Sequence, residues 1–301
     1  MFTSGSAGIP KGVVITHGNI LSTLRSVALI KEFSDGKNLK HQDVFGAFLP
    51  SSHVFEFTFE IGMVSLGSAI GYCTPTTLFD TSPMIKAGTK GDLAELKPTI
   101  LIAVPLLMER LRATVLEKVK ETSRLKRLIF QTCYNIKMQY RRLGFNTPII
   151  DRLVFKAIRA NFGGKIRAGF IGGAYISRNV EEFANICFGN FKQGYGLTET
   201  TDGIILTRSE YLRTGSTGSP LPHCEIKLLP WEEGNFDPND KIRPAGEIAV
   251  SGECVSLGYY KNEELTNSAF TVDKKTGKRW FHTGDIGLIT ADKCIRIIDR
   301  K

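Results

Sequence analysis

The most chemically loaded run of the chain is residues 191–200, FKQGYGLTET. Beside the flexible Gly194, Tyr195, Thr198 and Glu199 bring an aromatic ring, a hydroxyl and a carboxylate within five positions. Its counterpart is residues 2–19, FTSGSAGIPKGVVITHGN, where glycines and small hydroxylic residues precede Lys11. That composition lets successive backbone N–H groups wrap around an anion. Together the two runs point to a nucleoside triphosphate site split across the fold. An ordinary Walker A loop is excluded, because residues 5–12, GSAGIPKG, do not end in GK followed by Ser or Thr. Taken alone, residues 2–12 read equally as a Gly/Ser turn into a strand.

Three further stretches carry candidate chemistry. In Ser51-Ser52-His53-Val54-Phe55-Glu56 a histidine and a carboxylate interrupt an apolar region, although a lone histidine before an apolar helix is commonly a packed structural residue. Gly172-Gly173-Ala174 leaves room for a flat ring to lie on the backbone, or is simply a tight turn. Asp285 follows a glycine in WFHTGD, where its carboxylate suits ribose hydroxyls.

The elements that must position these groups follow from hydrophobic periodicity. Residues 11–15 read as a short buried strand, and Thr16 or Asn19 as the cap of a helix over 20–30, with a phosphate-side role for Thr16 the equal alternative. Strands are expected at 45–50, 99–104 and 166–170, and helices at 57–67 and 92–96. Beyond Pro105 a long basic helix carries Leu107, Leu111, Val115 and Val119 on one face, and helix continues over 124–158 with a break near 144–148. Ser177 is placed to cap a helix whose first turn carries Glu181 and Glu182, favourable charges at an N-terminus. After residue 215 turn residues alternate with short β-prone runs, as in a barrel-like or twisted antiparallel unit.

Composition sets the outer limits. With 301 residues, 42% of them hydrophobic, the chain is long enough for a substantial core. It has no run of eighteen apolar residues and no signal-peptide pattern. The six cysteines show no CxxC pair, which favours free thiols in a reducing compartment over a metal or disulfide role. The five histidines do not cluster in sequence, so a histidine-based metal enzyme is not expected. Of the net charge of +9, residues 110–167 alone contribute +12, from 15 Lys plus Arg against three acids. Such a block suits a solvated surface first and a face toward anionic lipid second; without interleaved aromatics it is not a nucleic-acid pattern. Neither end closes a unit: the Gly/Ser loop has no supporting strand, helix or cap ahead of it, and Asp299-Arg300-Lys301 follows an apolar run. The expectation is an interior piece of a longer protein.

The ordered series TSGSAGIPKG, LPSSHVFE, GGA, QGYGLTE, HTGDIG and IIDRK resembles the motif series of adenylate-forming acyl-CoA synthetases. CEIKL, GYYKNEELT and KRWFHTGDIG resemble the long-chain fatty-acyl members, particularly the animal branch favouring polyunsaturated acids. The resemblance implies an α/β adenylation domain, with parallel sheets flanked by helices over 1–214 and a β-rich subdomain over 215–301 ending at an interdomain hinge. The small C-terminal domain, with its catalytic lysine, would lie past Lys301. It implies ATP-dependent formation of an acyl-adenylate from a long-chain fatty acid and transfer of the acyl group to coenzyme A, with Mg²⁺ as cofactor. It also implies an intracellular membrane facing the cytosol, such as the endoplasmic reticulum.

Carried over residue by residue, the resemblance makes Thr3, Ser4, Gly5, Ser6, Gly8 and Lys11 the loop on the β,γ-phosphates, and Gly172, Gly173 and Ala174 the adenine-side turn. Tyr195 borders the adenine, Thr198 touches the α-phosphate and Glu199 binds Mg²⁺. Asp285 and Arg300 take the ribose, and His53 stands beside the acyl carboxylate. Thr198, Glu199 and Lys11 form the catalytic group in this scheme. An acid already ionised at neutral pH attacks without a protein nucleophile or general base. Two local departures stand out: Ala7 where the loop normally has threonine, and Ser51-Ser52 in place of a leucine-alanine pair. The competing assignments are adenylation of another carboxylic acid, as in luciferase-like or peptide-synthetase domains, and a degenerate nucleotide- or acyl-binding protein.

Overall fold

The structure is a computed structural model, and it describes residues 1–3, 9–29, 42–207 and 214–301. Ser4, Gly5, Ser6, Ala7 and Gly8 of the glycine loop therefore lie outside the described residues.

Phe2–Thr3 (β1) and Lys11–Gly12 (β2) pair antiparallel, Thr3 opposite Lys11, and so clamp the two ends of the loop. This corrects the expectation that nothing supports the loop from ahead. It also shortens the expected strand over 11–15, of which only Val13 is buried. Helix α1 (His17–Leu29) starts earlier than expected because Thr16 and Asn19 cap it reciprocally. Asn19 N–H donates to Thr16 Oγ1 at 3.1 Å, and Thr16 N–H donates to Asn19 Oδ1 at 2.8 Å. Of its two open roles, Thr16 takes the cap.

The scaffold is a seven-stranded sheet. Val44–Ala47 (β3), Ala69–Tyr72 (β4), Ile100–Ala103 (β5), Ala168–Ile171 (β6) and Phe191–Leu197 (β7) are parallel, in the order β4-β3-β5-β6-β7. Antiparallel Asp202–Leu206 (β8) and Ser219–Pro220 (β9) extend the sheet beyond β7. Helices α2 (Val54–Ser65) and α3 (Asp92–Leu96) connect the first strands. Between β5 and β6 lie α4 (Pro105–Glu121), α5 (Arg124–Arg142), α6 (Pro148–Ile150), a π-helical turn at Asp151–Phe155 and α7 (Lys156–Ala160). Helix α8 (Arg178–Cys187) leads into β7.

Successive residues of a strand face opposite sides. In β5, Leu101 and Ala103 accordingly pack with Met108, Phe155 and Phe183 under the basic helices, while Ile100 and Ile102 pack with Phe45, Met63 and Phe170 on the other face. All four residues are fully buried, which explains why β5 reads as a continuous apolar run.

The remaining strands form an antiparallel sheet: Cys224–Leu229 (β10), Ala245–Gly252 (β11), Phe270–Val272 (β12), Arg279–Ile289 (β13) and Ile295–Arg300 (β14). Its order is β10-β11-β13, with β12 and β14 both paired to β13. Helix α9 (Glu263–Ala269) precedes β12. Ile204 and Ile205 of β8 share a core with Ile248, Val250 and Phe281, joining the two sheets.

One expectation about α8 needs correcting. Ser177 stands at its N-cap but makes no side-chain cap hydrogen bond, and Glu181 is buried, accepting from Gly215 N–H at 2.8 Å. Glu181 thus anchors the 215 turn, and burial pushes its carboxyl up to about 7. Among the described residues no helix is long and apolar enough to cross a membrane.

Candidate active site

The carboxyl ends of β6 and β7 open into a cavity of about 480 Å³, bounded across from them by α2, β8 and residues 281–284 of β13. Open α/β sheets place ligands at this end of their strands. A neighbouring cavity of about 840 Å³ shares Gly173, Tyr195 and Arg300 with the first.

The first cavity gathers Thr3, Lys11, His53, Gly172, Gly173, Tyr195, Thr198, Glu199 and Arg300 from six separate segments of the chain. Ala174 and Asp285 line the second. Every described candidate residue is thereby brought to one of two adjoining spaces.

Tyr195 is held by its own partner. Its hydroxyl donates to Asp285 Oδ2 at 2.7 Å, and Arg300 Nε stands 3.6 Å from Asp285 Oδ1. Burial, reinforced by the Asp285 carboxylate, raises the Tyr195 phenol well above its ordinary range, so it remains a donor. Burial also raises Asp285, against the Tyr195 hydrogen bond and Arg300, which lower it. Gly196 is required by close approach: a Cβ there would stand 2.0 Å from the Asp202 carbonyl oxygen. The chain turns back at this point through Thr201 and Asp202, both at positive φ. Gly173, at φ +81 with nothing within 4 Å of an added Cβ, leaves an open backbone surface between the two cavities.

Thr198 and Glu199 begin a single 3₁₀ turn, Thr198–Thr200. Thr200 locks it, its Oγ1 accepting from Leu197 N–H and donating toward the Leu197 and Asp202 carbonyls. Glu199 is only 6% exposed yet lines the cavity. Its Oε1 accepts from the Tyr259 hydroxyl at 2.7 Å, and its other oxygen accepts from no group among the described residues. A buried carboxylate beside a cavity, with one oxygen left over from its protein hydrogen bond, fits Mg²⁺, which keeps most of its coordination for water and phosphate and needs only one or two protein carboxylates. Among the described residues no cluster of three or more His, Cys, Asp or Glu offers an all-protein cage.

His53 both caps and faces the cavity. Its Nδ1 accepts from Phe55 N–H at 3.2 Å at the start of α2, and desolvation lowers its pKa. Phe55 and Phe59 of α2 and Phe170 of β6 supply an aromatic wall next to it.

Glu56, in the first turn of α2, is fully buried, and its Oε2 accepts from Leu49 N–H at 3.2 Å. Its Oε1 has no partner among the described residues, and burial pushes the carboxyl from 4.5 up to about 8. A raised folded-state value means that the folded chain holds a proton the unfolded chain has released. Glu56 therefore makes stability fall as pH rises from about 4.5 to about 8, by at most about 1.4 kcal/mol per pH unit. Glu56→Gln is expected to remove that component. Thermal melts at pH 5 and pH 8 should show the variant gaining on the parent at the higher pH, and an unchanged difference between the two would contradict the assignment.

Tyr259 and Asp202 were not singled out in the sequence. Tyr259 lies inside GYYKNEELT, where an aromatic directly after Gly258 was the available signal. Asp202 lines the cavity and accepts from Thr58 Oγ1 at 2.5 Å; burial raises it to about 7.

A profile of the AMP-binding enzyme family matches residues 1–260. Long chain acyl-CoA synthetase 8 of Arabidopsis thaliana is 44% identical over 308 residues, covering 100% of this chain and 42% of the relative. Long-chain-fatty-acid–CoA ligase 2 of Schizosaccharomyces pombe is 36% identical over 306 residues, again covering 100% of this chain and 42% of the relative. The chain thus spans about two fifths of the length of these relatives. Among solved structures, a long-chain-fatty-acid-CoA ligase from Archaeoglobus fulgidus superposes with TM-score 0.65 at 19% identity, covering 99% of this chain and 50% of that one. O-succinylbenzoate coenzyme A synthetase from Bacillus subtilis, in complex with AMP, gives 0.64 at 23% identity, covering 100% and 49%. At those identities the structures establish the α/β adenylation-type fold. With the sequence match running from the Lys11 strand through the Glu199 turn to Tyr259, this chain belongs to the AMP-binding enzyme family.

Proposed function

We propose that this chain is the nucleotide- and acyl-binding part of a longer ligase that activates a long-chain fatty acid with ATP and passes it to coenzyme A. The observation that carries the proposal is one cavity in which Lys11, Thr198 and Glu199 face an aromatic wall of Phe55, Phe59 and Phe170. Identity of 44% to a long chain acyl-CoA synthetase across the whole chain supports the substrate class.

In the first step a carboxylate oxygen of the acid attacks the α-phosphorus, the bond to the bridging oxygen of pyrophosphate breaks, and acyl-AMP forms. In the second the coenzyme A thiol, losing its proton, attacks the acyl carbon and AMP leaves. Negative charge gathers on the phosphate oxygens in the first transition state, so donors fixed beforehand lower that barrier more than they stabilise the bound substrates. Thr198 meets the α-phosphate, and Lys11 with Thr3, Ser4, Gly5, Ser6 and Gly8 meets the β,γ-phosphates. Gly172, Gly173, Ala174 and Tyr195 border the adenine, Asp285 and Arg300 hold the ribose, and His53 orients the acyl carboxylate. Glu199 would hold Mg²⁺, whose charge neutralises phosphate oxygens when it is bound.

For the whole protein we further propose a preference for polyunsaturated chains, on the motif strings, and a seat on the cytosolic face of the endoplasmic reticulum or another intracellular membrane. What supports the second is the basic stretch over 110–167 with exposed Leu125, Leu128 and Ile129. A panel of acids scored by AMP and acyl-CoA release tests the substrate class. Long-chain acids should be the best substrates; turnover of acetate or an aromatic acid with long-chain acids inert would overturn the reading.

A further inference from the structure

Residues 255–260 run between β11 and α9 and touch both the chain that follows Lys11 and the turn that carries Glu199. Their backbone adds to the strand that follows the glycine loop: Val14 N–H donates to Gly258 O at 2.9 Å, Leu257 N–H to Val14 O at 3.0 Å, and Tyr260 N–H to Gly12 O at 2.7 Å. Val13 and Tyr259 form an antiparallel bridge there. On the other side Ser256 N–H donates to Glu199 O at 2.8 Å. The segment is itself anchored, by Asn19 Nδ2 to the Glu253 and Val255 carbonyls and by Arg279 to the Ser256 and Leu257 carbonyls.

Tyr259 adds side-chain contacts in both directions. Its hydroxyl donates to Glu199 Oε1 at 2.7 Å, and the Lys11 ammonium lies 5.3 Å from its ring centroid. Tyr259 is 9% exposed, its ring packs edge-on against Phe270 at 5.9 Å, and its backbone N–H donates to Thr266 Oγ1 at 2.9 Å.

We infer that Tyr259 is a positioning residue that sets Glu199 and Lys11 against one another. It occupies one carboxylate oxygen so that the other faces the cavity, and it seats the lysine over its ring. The hydroxyl acts on metal affinity through Glu199, and the ring acts on phosphate contacts through Lys11. Outer-shell partners of metal-ligating groups commonly contribute 10–100-fold in affinity. This inference rests on the proposed role of Glu199 at Mg²⁺.

The test compares Tyr259→Phe, which keeps the ring and removes the hydroxyl, with Tyr259→Leu, which removes both. It is made in the whole ligase and checked for folding by circular dichroism. Binding of Mn²⁺ in the presence of an ATP analogue carrying a methylene bridge between the α and β phosphorus, read by electron paramagnetic resonance, should weaken about tenfold in Tyr259→Phe. The metal concentration giving half-maximal pyrophosphate exchange should rise by a similar factor, with the KM for the acid unchanged. Tyr259→Leu should in addition raise the KM for ATP at saturating metal. Wild-type Mn²⁺ affinity in a folded Tyr259→Phe variant would overturn the inference, as would an equal loss in every kinetic constant. If the wild-type protein binds Mn²⁺ with the analogue but exchanges no pyrophosphate with any acid, the proposed reaction fails while the Mn²⁺ comparison still decides the role of Tyr259.

Discussion

In the whole ligase proposed above, replacing Glu199 with Gln should slow acid-dependent pyrophosphate exchange at least about a hundredfold, roughly 3 kcal/mol of barrier, in a protein that remains folded. The fold tolerates the change because the amide oxygen can still accept from the Tyr259 hydroxyl, and the Ser256 N–H is bonded to the Glu199 backbone, not its side chain. The chemistry does not tolerate it. A neutral amide turned toward the cavity replaces the charge that would hold the metal, and at 6% exposure little solvent is available to take over. Exchange rates at saturating Mg²⁺, alongside melting curves for both proteins, check this. An unchanged rate would remove Glu199 from the role.

The second large effect lies in the scaffold. Asp43, 4% exposed, accepts from Arg167 Nε at 2.7 Å and from Thr99 Oγ1 at 2.7 Å. These residues immediately precede β3, β6 and β5, so one carboxylate ties together the amino ends of three neighbouring parallel strands. Arg167→Ala would take the guanidinium away from that buried carboxylate, and a loss of about 3 kcal/mol or more is expected. Urea unfolding followed by circular dichroism should show a lower midpoint with little change in slope. The double variant Asp43→Asn with Arg167→Ala should recover part of the loss, because the buried negative charge is then gone. An unchanged midpoint in the single variant would contradict the coupling.

Much of this architecture was legible in the sequence, for reasons that can be named. Residues 99–104 announced β5 because a strand covered on both faces is apolar at every position, and Pro105 announced the start of α4 because proline suits the first helical turn. The motif residues pointed to a candidate site because each brings a distinctive chemistry to a glycine-rich setting, and the fold gathers the described ones around two adjoining cavities. What stayed hidden depends on contacts between distant segments. Nothing local to Tyr195 or Asp285 shows that they bond across 90 residues, and nothing local to Tyr259 shows that it reaches Glu199 across 60. Glu181 misled because acidic residues in a first helical turn favour the helix dipole in solvent, whereas tertiary packing drew this one inward to Gly215. The two-residue strand ahead of the glycine loop was too short to have a period.

The most direct test is isotope exchange between pyrophosphate and ATP, with Mg²⁺, measured with and without a long-chain fatty acid and before any coenzyme A is added. In the whole ligase, exchange should require the acid, be strongest for long chains and be lost in Glu199→Gln. Exchange that proceeds equally without an acid, or ATP cleavage to ADP and phosphate in its place, would contradict the proposed reaction.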